Sequence, residues 1–150
     1  MRLEDEIKQV KAFKNDYNKA VVNLIYTYNW LESSSKSFFK EFDLTSQQFN
    51  ILRILQGQYP NPATINLLRE RMLDKMCDAS RLVERLRLKG LIERSQASSD
   101  KRAVDILITK KGRDLLVEIE LKFPAFEKKM QTLNESEIKD LNNLLDKLRG

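Results

Sequence analysis

The sequence predicts a mainly α-helical fold interrupted by one short β-hairpin, in the order α-α-α-α-β-β-α-α. Three observations carry this. Apolar residues recur at helical spacing along most of the 150 residues. The pattern turns β-rich and short only at 91–94 and 103–108. The strongest breakers, Gly57, Pro60, Pro62 and Gly90, fall between these stretches. A chain of this length corresponds to about one domain, and residues 1–150 are expected to form one.

From 3 to 42 there is no glycine or proline, and Ile7, Val10, Tyr17, Val21, Leu24, Ile25, Tyr28 and Leu31 keep a helical period. One long helix is expected, with Ser33, Ser34 and Ser35 as its weak point. Thr45 followed three residues later by Gln48 predicts a capping box, stapled by Leu44 and Phe49. The helix it opens should stop at Gly57, because Pro60 and Pro62 cannot continue it. Thr64 should cap a helix through Met72. After a break near 73–75, a second helix should run from 75 to 89 and end on Gly90.

The two β-rich stretches enclose the polar run 96–101 and predict an antiparallel hairpin. Thr109 restarts a helix through Leu115, Leu116 and Ile119, which Pro124 should kink or end. Asn134 caps the last helix with Glu137 at its third position and Leu133 and Ile138 as a staple. Leu141, Leu144, Leu145 and Leu148 stripe it.

Composition removes most enzyme chemistry from consideration. There is no histidine, which is the usual general base and metal ligand. The one cysteine, Cys77, forms neither an internal disulfide nor a cysteine-cluster zinc site. Four glycines allow no phosphate cradle. Glu118 and Glu120, spaced i,i+2, point apart on a helix. No cofactor or metal is expected. No window is apolar enough to span a bilayer, and the first residues lack the basic and apolar regions of a secretory signal. A cytoplasmic location without membrane contact is therefore expected.

The net charge of +5 is unevenly placed. Residues 1–63 carry 8 basic and 7 acidic side chains, residues 64–113 carry 13 and 7, and residues 114–150 carry 6 and 8. The excess in the middle segment suggests a face for a polyanion. Two short helices, a tight turn and a hairpin make a winged helix-turn-helix, whose second helix can enter a major groove. On that helix Met76, Ala79, Leu82, Val83 and Leu86 should face the core, with Cys77, Asp78, Arg81, Glu84 and Arg85 opposite.

The string 64–72, then 78–86, then Lys89-Gly90-Leu91-Ile92-Glu93-Arg94 resembles the helix-turn-helix of the MarR family of bacterial transcription regulators. Asp100-Lys101-Arg102, the alternating Val104, Ile106 and Ile108, and Thr109-Lys110-Lys111-Gly112 are similar to that family's wing signature. The resemblance covers about the whole chain, with its specific motifs between 45 and 112. It implies a homodimer built from a helix over 1–42 and helices over 113–150. The winged helix-turn-helix over 44–112 would be presented to a pseudo-palindromic operator. Independently, the end segments carry more leucine than a small winged helix can cover, and a partner chain is the natural sink. Met76 and Cys77 stand where polar residues are common in the family. The chain lacks the reactive-cysteine motif of the peroxide-sensing members.

Arg81 is the candidate base reader, since a guanidinium reaches guanine O6 and N7 together. The alternatives are a phosphate contact or an ion pair with Asp78 or Glu84. Ser80 is expected at the groove edge or on phosphate, and Asp78 is expected to orient Arg81. Lys75 and Arg85 are expected phosphate contacts, which position without specifying. Arg102 should enter a narrow A·T minor groove, braced by Asp100, with Arg94 and Lys101 on flanking phosphates. Cys77 admits two readings: a thiolate favoured by a helix N-terminus, or a small residue that tolerates groove contact. The second is expected. Tyr17, Tyr26, Tyr28, Trp30, Phe38 and Phe39 could line a small-molecule pocket, although such spacing more often marks core. The function expected is a homodimeric repressor of double-stranded DNA, relieved by a small effector of unknown identity. The alternative is a winged-helix protein-interaction module without sequence-specific DNA binding.

Overall fold

Helices in this chain begin where a side chain can cap them. The computed structural model describes residues 2–96 and 104–150, and the chain divides into two compact units, Met1–Asp43 and Leu44–Gly150. In the first unit the single helix expected over 3–42 is instead two. A short α1 (Leu3–Glu6) stops, and α2 (Asp16–Lys40) begins where Asn15 Oδ1 accepts from the Asn18 N–H at 2.8 Å. Between them Lys8 has φ 53°, a left-handed geometry that a right-handed helix does not contain. The break falls in a stretch where Lys8, Gln9, Val10, Lys11 and Lys14 are all exposed. Nothing there is buried to offset the cost of ordering a helix. Leu3 is buried, and the Lys19 ammonium donates to Glu4 of α1.

The three serines do not interrupt α2. Ser35 Oγ donates to the Leu31 carbonyl at 2.9 Å and Ser37 Oγ to that of Ser33 at 3.1 Å. Each hydroxyl thus bonds back one turn, sharing a helix carbonyl without breaking the helix.

In the second unit α3 (Ser46–Gln58) opens on the expected box. Gln48 N–H donates to Thr45 Oγ1, and Thr45 N–H donates to Gln48 Oε1. Thr64 caps α4 (Ile65–Arg71) and Asp78 caps α5 (Ala79–Leu88). The helix expected from 75 therefore starts four residues later, because Asp78 rather than Lys75 supplies the acceptor for the orphan N–H groups. Strands β1 (Ile92–Gln96) and β2 (Val104–Ile108) pair antiparallel, with Ile92 opposite Ile108 and Gln96 opposite Val104. Ala63 adds a one-residue bridge beyond β2, its N–H and carbonyl each bonding Ile106 at 2.9 Å. Leu52 and Leu55 of α3, Leu68 of α4, Val83 and Leu86 of α5, and Ile106 of β2 meet in one solvent-free centre.

Thr109 caps α6 (Lys110–Glu127), which packs on α3 with Phe123 stacked against Phe49. Pro124, expected to kink or end this helix, lies within its last turn, and the helix continues three residues past it to Glu127, with the Lys128 N–H bonding the Pro124 carbonyl; the absent N–H costs one ladder bond. A 3₁₀ turn (Lys128–Met130) leads to α7 (Glu135–Arg149), opened by the predicted Asn134–Glu137 box. No residue of α7 is buried. Among the described residues no helix is long and apolar enough to cross a membrane.

Candidate nucleic-acid interface

The site is built on α4, the turn after it, and α5. Asp78 Oδ1 accepts from the Arg81 N–H at 3.0 Å, so it holds the backbone of Arg81 rather than its guanidinium. Buried Ala79, with no side chain beyond Cβ, lets α5 approach α4 closely. Val83 and Leu86 complete the buried stripe, and Leu82 is half-buried. Met76, expected on that stripe, is exposed. It precedes the helix, so the 100° period does not reach it.

The stripe turns Ser80, Arg81 and Arg85 to solvent. Among the described residues the Arg81 and Arg85 guanidiniums have no hydrogen-bond or ion-pair partner, while Ser80 Oγ weakly accepts from Arg69 at 3.5 Å. Lys75 is exposed and donates to the Glu70 carbonyl at the end of α4.

Glu84 is the organising carboxylate, and its partners are Arg87 and Arg94 rather than Arg81. It takes Nη2 of Arg87 at 2.7 Å and Nε at 3.0 Å, a two-pronged contact, and also Nη1 of Arg94 on β1 at 3.3 Å. Donation from Arg87, aided by Arg94, holds its carboxyl below the usual carboxylate range. Arg94 therefore ties the first hairpin strand to α5 in the free protein. The i,i+3 spacing of Glu84 and Arg87 was readable; the Arg94 contact across the fold was not. Asp100, Lys101 and Arg102 lie outside the described residues.

Cys77 is half-buried. Its Sγ donates to the Asp74 carbonyl at 3.0 Å, and Sδ of Met72 lies 3.4 Å away. Burial, followed by the Asp74 and Asp78 carboxylates, pushes its thiol above the ordinary value. The carboxylates of Asp74 and Asp78 thus oppose the helix N-terminus and disfavour the thiolate form.

The hairpin is locked to α6 by a motif legible in the sequence. Thr109 Oγ1 donates to the Gly90 carbonyl at 2.8 Å and accepts from the Gly112 N–H at 3.1 Å. A Cβ on Gly112 would lie 2.3 Å from the Leu91 carbonyl oxygen. The Thr-x-x-Gly spacing thus joins a cap to a close approach that only glycine allows. Gly90, at φ 70°, supplies the left-handed turn between α5 and β1.

Of the aromatics, Tyr17 and Tyr28 are exposed on α2 and Phe39 is buried. Tyr26 and Trp30 line an open cavity of about 400 Å³ in the first unit with Arg2, Leu3 and Lys19.

No family model matches the chain. Helix-turn-helix-type transcriptional regulators of Bacillus cereus and Bacillus anthracis are 33% identical to it over 129 residues, which is 85% of this chain and 84% of theirs. Among solved structures, a MarR transcription factor from Planctomyces limnophilus is 26% identical with a TM-score of 0.69, covering 90% of this chain and 98% of its own. MepR of S. aureus, solved with DNA, has a TM-score of 0.74 at 21% identity, covering 91% and 97%. The organohalide-sensing regulator RdhR, in its 2,4-dichlorophenol-bound form, has 0.81 at 21%, covering 94% and 86%. The last two share the fold, and the relatives are named as regulators rather than enzymes. With the Thr109–Gly112 lock and the helix-turn-helix in place, these likenesses settle the assignment: the chain belongs to the MarR family of winged helix-turn-helix transcription regulators.

Proposed function

We propose that this regulator binds double-stranded DNA as a homodimer, represses transcription from a pseudo-palindromic operator, and is released by a small effector. The observation that carries the DNA reading is the outward face of α5. Arg81 and Arg85 stand there unpaired among the described residues, beside Lys75, in the segment that holds the charge excess. Arg81 reads a base edge, Lys75 and Arg85 sit on phosphates, and Ser80 lies at the groove edge. Asp78 positions Arg81 by capping. Arg94 reaches phosphate only by leaving Glu84. Lys101 and Arg102 complete the wing, with Asp100 as brace and Arg102 in the minor groove.

Dimerisation through 1–42 and 113–150 is supported by apolar side chains left on the surface: Val21 and Ile25 of α2, Leu121 of α6, Leu144 and Leu148 of α7. Effector release is supported by the ligand-bound state of RdhR, and DNA binding by the MepR complex. The test is selection of bound fragments from genomic DNA, followed by binding of Arg81→Ala to single-base variants of the selected site. Relaxed discrimination at one base pair per half-site, by about 1–3 kcal/mol, is expected. Uniform loss with base preference intact would make Arg81 a phosphate anchor, and failure to select any fragment would remove the DNA reading.

A further inference from the structure

The turn between α4 and α5 presents an apolar side chain where a charged or polar one would be easier to solvate. Met76 is 94% exposed, two residues before the cap of α5. Its backbone is nevertheless held firmly. The Met76 N–H donates to Asp74 Oδ1 at 3.0 Å, Cys77 Sγ donates to the Asp74 carbonyl at 3.0 Å, and Leu73 N–H donates to Asn50 Oδ1 of α3 at 2.9 Å. A mobile surface loop needs none of these bonds. Here they fix where the thioether emerges, at the mouth of the helix that carries Arg81.

We propose that Met76 is a specificity-determining residue that packs on the C5-methyl group of a thymine in the major groove. This rests on the DNA-binding reading above and deepens it. The surroundings favour a base edge over a protein surface. Asp74 and Asp78 flank Met76, but each carboxylate is engaged by a backbone N–H, of Met76 and of Arg81. Lys75 precedes Met76, Arg81 lies in the first turn of α5, and residues 64–113 as a whole carry the chain's basic excess, so a polyanion is the partner that span attracts. Within the major groove the thymine methyl is the one apolar group on the base edges. A thioether on a flexible unbranched chain suits contact with it. Leu73, 87% exposed and three residues earlier in the same turn, serves as the comparison.

The experiment uses the full chain and a duplex selected by it from a random-sequence pool. Each thymine is replaced in turn by uracil, which removes only the methyl. One uracil position per half-site should weaken the parent about fourfold, the value of burying roughly one methyl-sized group. Met76→Ala should bind the thymine duplex correspondingly less well and be indifferent to uracil there. Met76→Leu should retain the dependence, as should Leu73→Ala. If uracil costs the parent nothing at any position, or costs Met76→Ala as much as the parent, the proposal is wrong while DNA binding stands. If the dependence disappears in Leu73→Ala and persists in Met76→Ala, the assignment to Met76 is overturned. If the parent selects no duplex at all, the DNA reading itself fails and takes the proposal with it.

Discussion

Gly112 shows how one missing side chain governs the hairpin's attachment. In an open helix Gly→Ala gains about 1 kcal/mol from backbone entropy. Here the added methyl would press on the Leu91 carbonyl at 2.3 Å and on Ile108, and backbone cannot step aside as a flexible side-chain tip can. Gly112→Ala should therefore destabilise the protein, by about 1–3 kcal/mol, as read from urea unfolding midpoints. A gain in stability would mean that the approach relaxes freely. Cys77 makes the opposite point about reactivity. Its thiol is raised by burial and by two carboxylates, so less of it is thiolate at neutral pH. Alkylation by iodoacetamide at pH 7–8 should run slower than that of free cysteine. A faster rate would restore the activated-thiol reading.

At the scale of elements, what was legible in the sequence was what local chemistry decides. The Thr45–Gln48 and Asn134–Glu137 boxes, the Thr64 and Thr109 caps and the turn at Gly90 all stand where side-chain type and spacing place them. The break between α1 and α2 was hidden because no glycine or proline marks it; it arises from a stretch that buries nothing. The bridge at Ala63 was hidden because its partner Ile106 is far along the chain, and the Glu84–Arg94 pair because it joins a helix to a strand across the turn at Gly90, outside any one element's periodicity. The start of α5 differs from the expected one because Asp78, expected on the outward face of the helix, caps it instead. That cap is testable. Asp78→Ala should cost about 0.5–2 kcal/mol of stability and Asp78→Ser much less, measured by denaturant unfolding. Equal losses would mean that Asp78 acts otherwise than as a cap.

For the whole molecule, the surface left uncovered is as informative as the core. Leu144 and Leu148 are 65% and 68% exposed on a helix with no buried residue, yet their stripe is that of a helix meant to pack. Deleting residues 133–150 should convert a dimer into a monomer or an aggregate, as sedimentation velocity would show. A dimer that survives the deletion would place the interface elsewhere. On the proposed function, the basic middle of the chain, doubled by dimerisation, grips a two-part DNA site. The most direct measurement is affinity for a selected duplex across a salt series, with footprinting at the lowest salt. If the dimer makes about 6–10 phosphate contacts, log affinity should fall with log salt at a slope of roughly −5 to −9. Two protected half-sites should appear about one helical turn apart. A flat salt response, or a single unpaired footprint, would contradict the account.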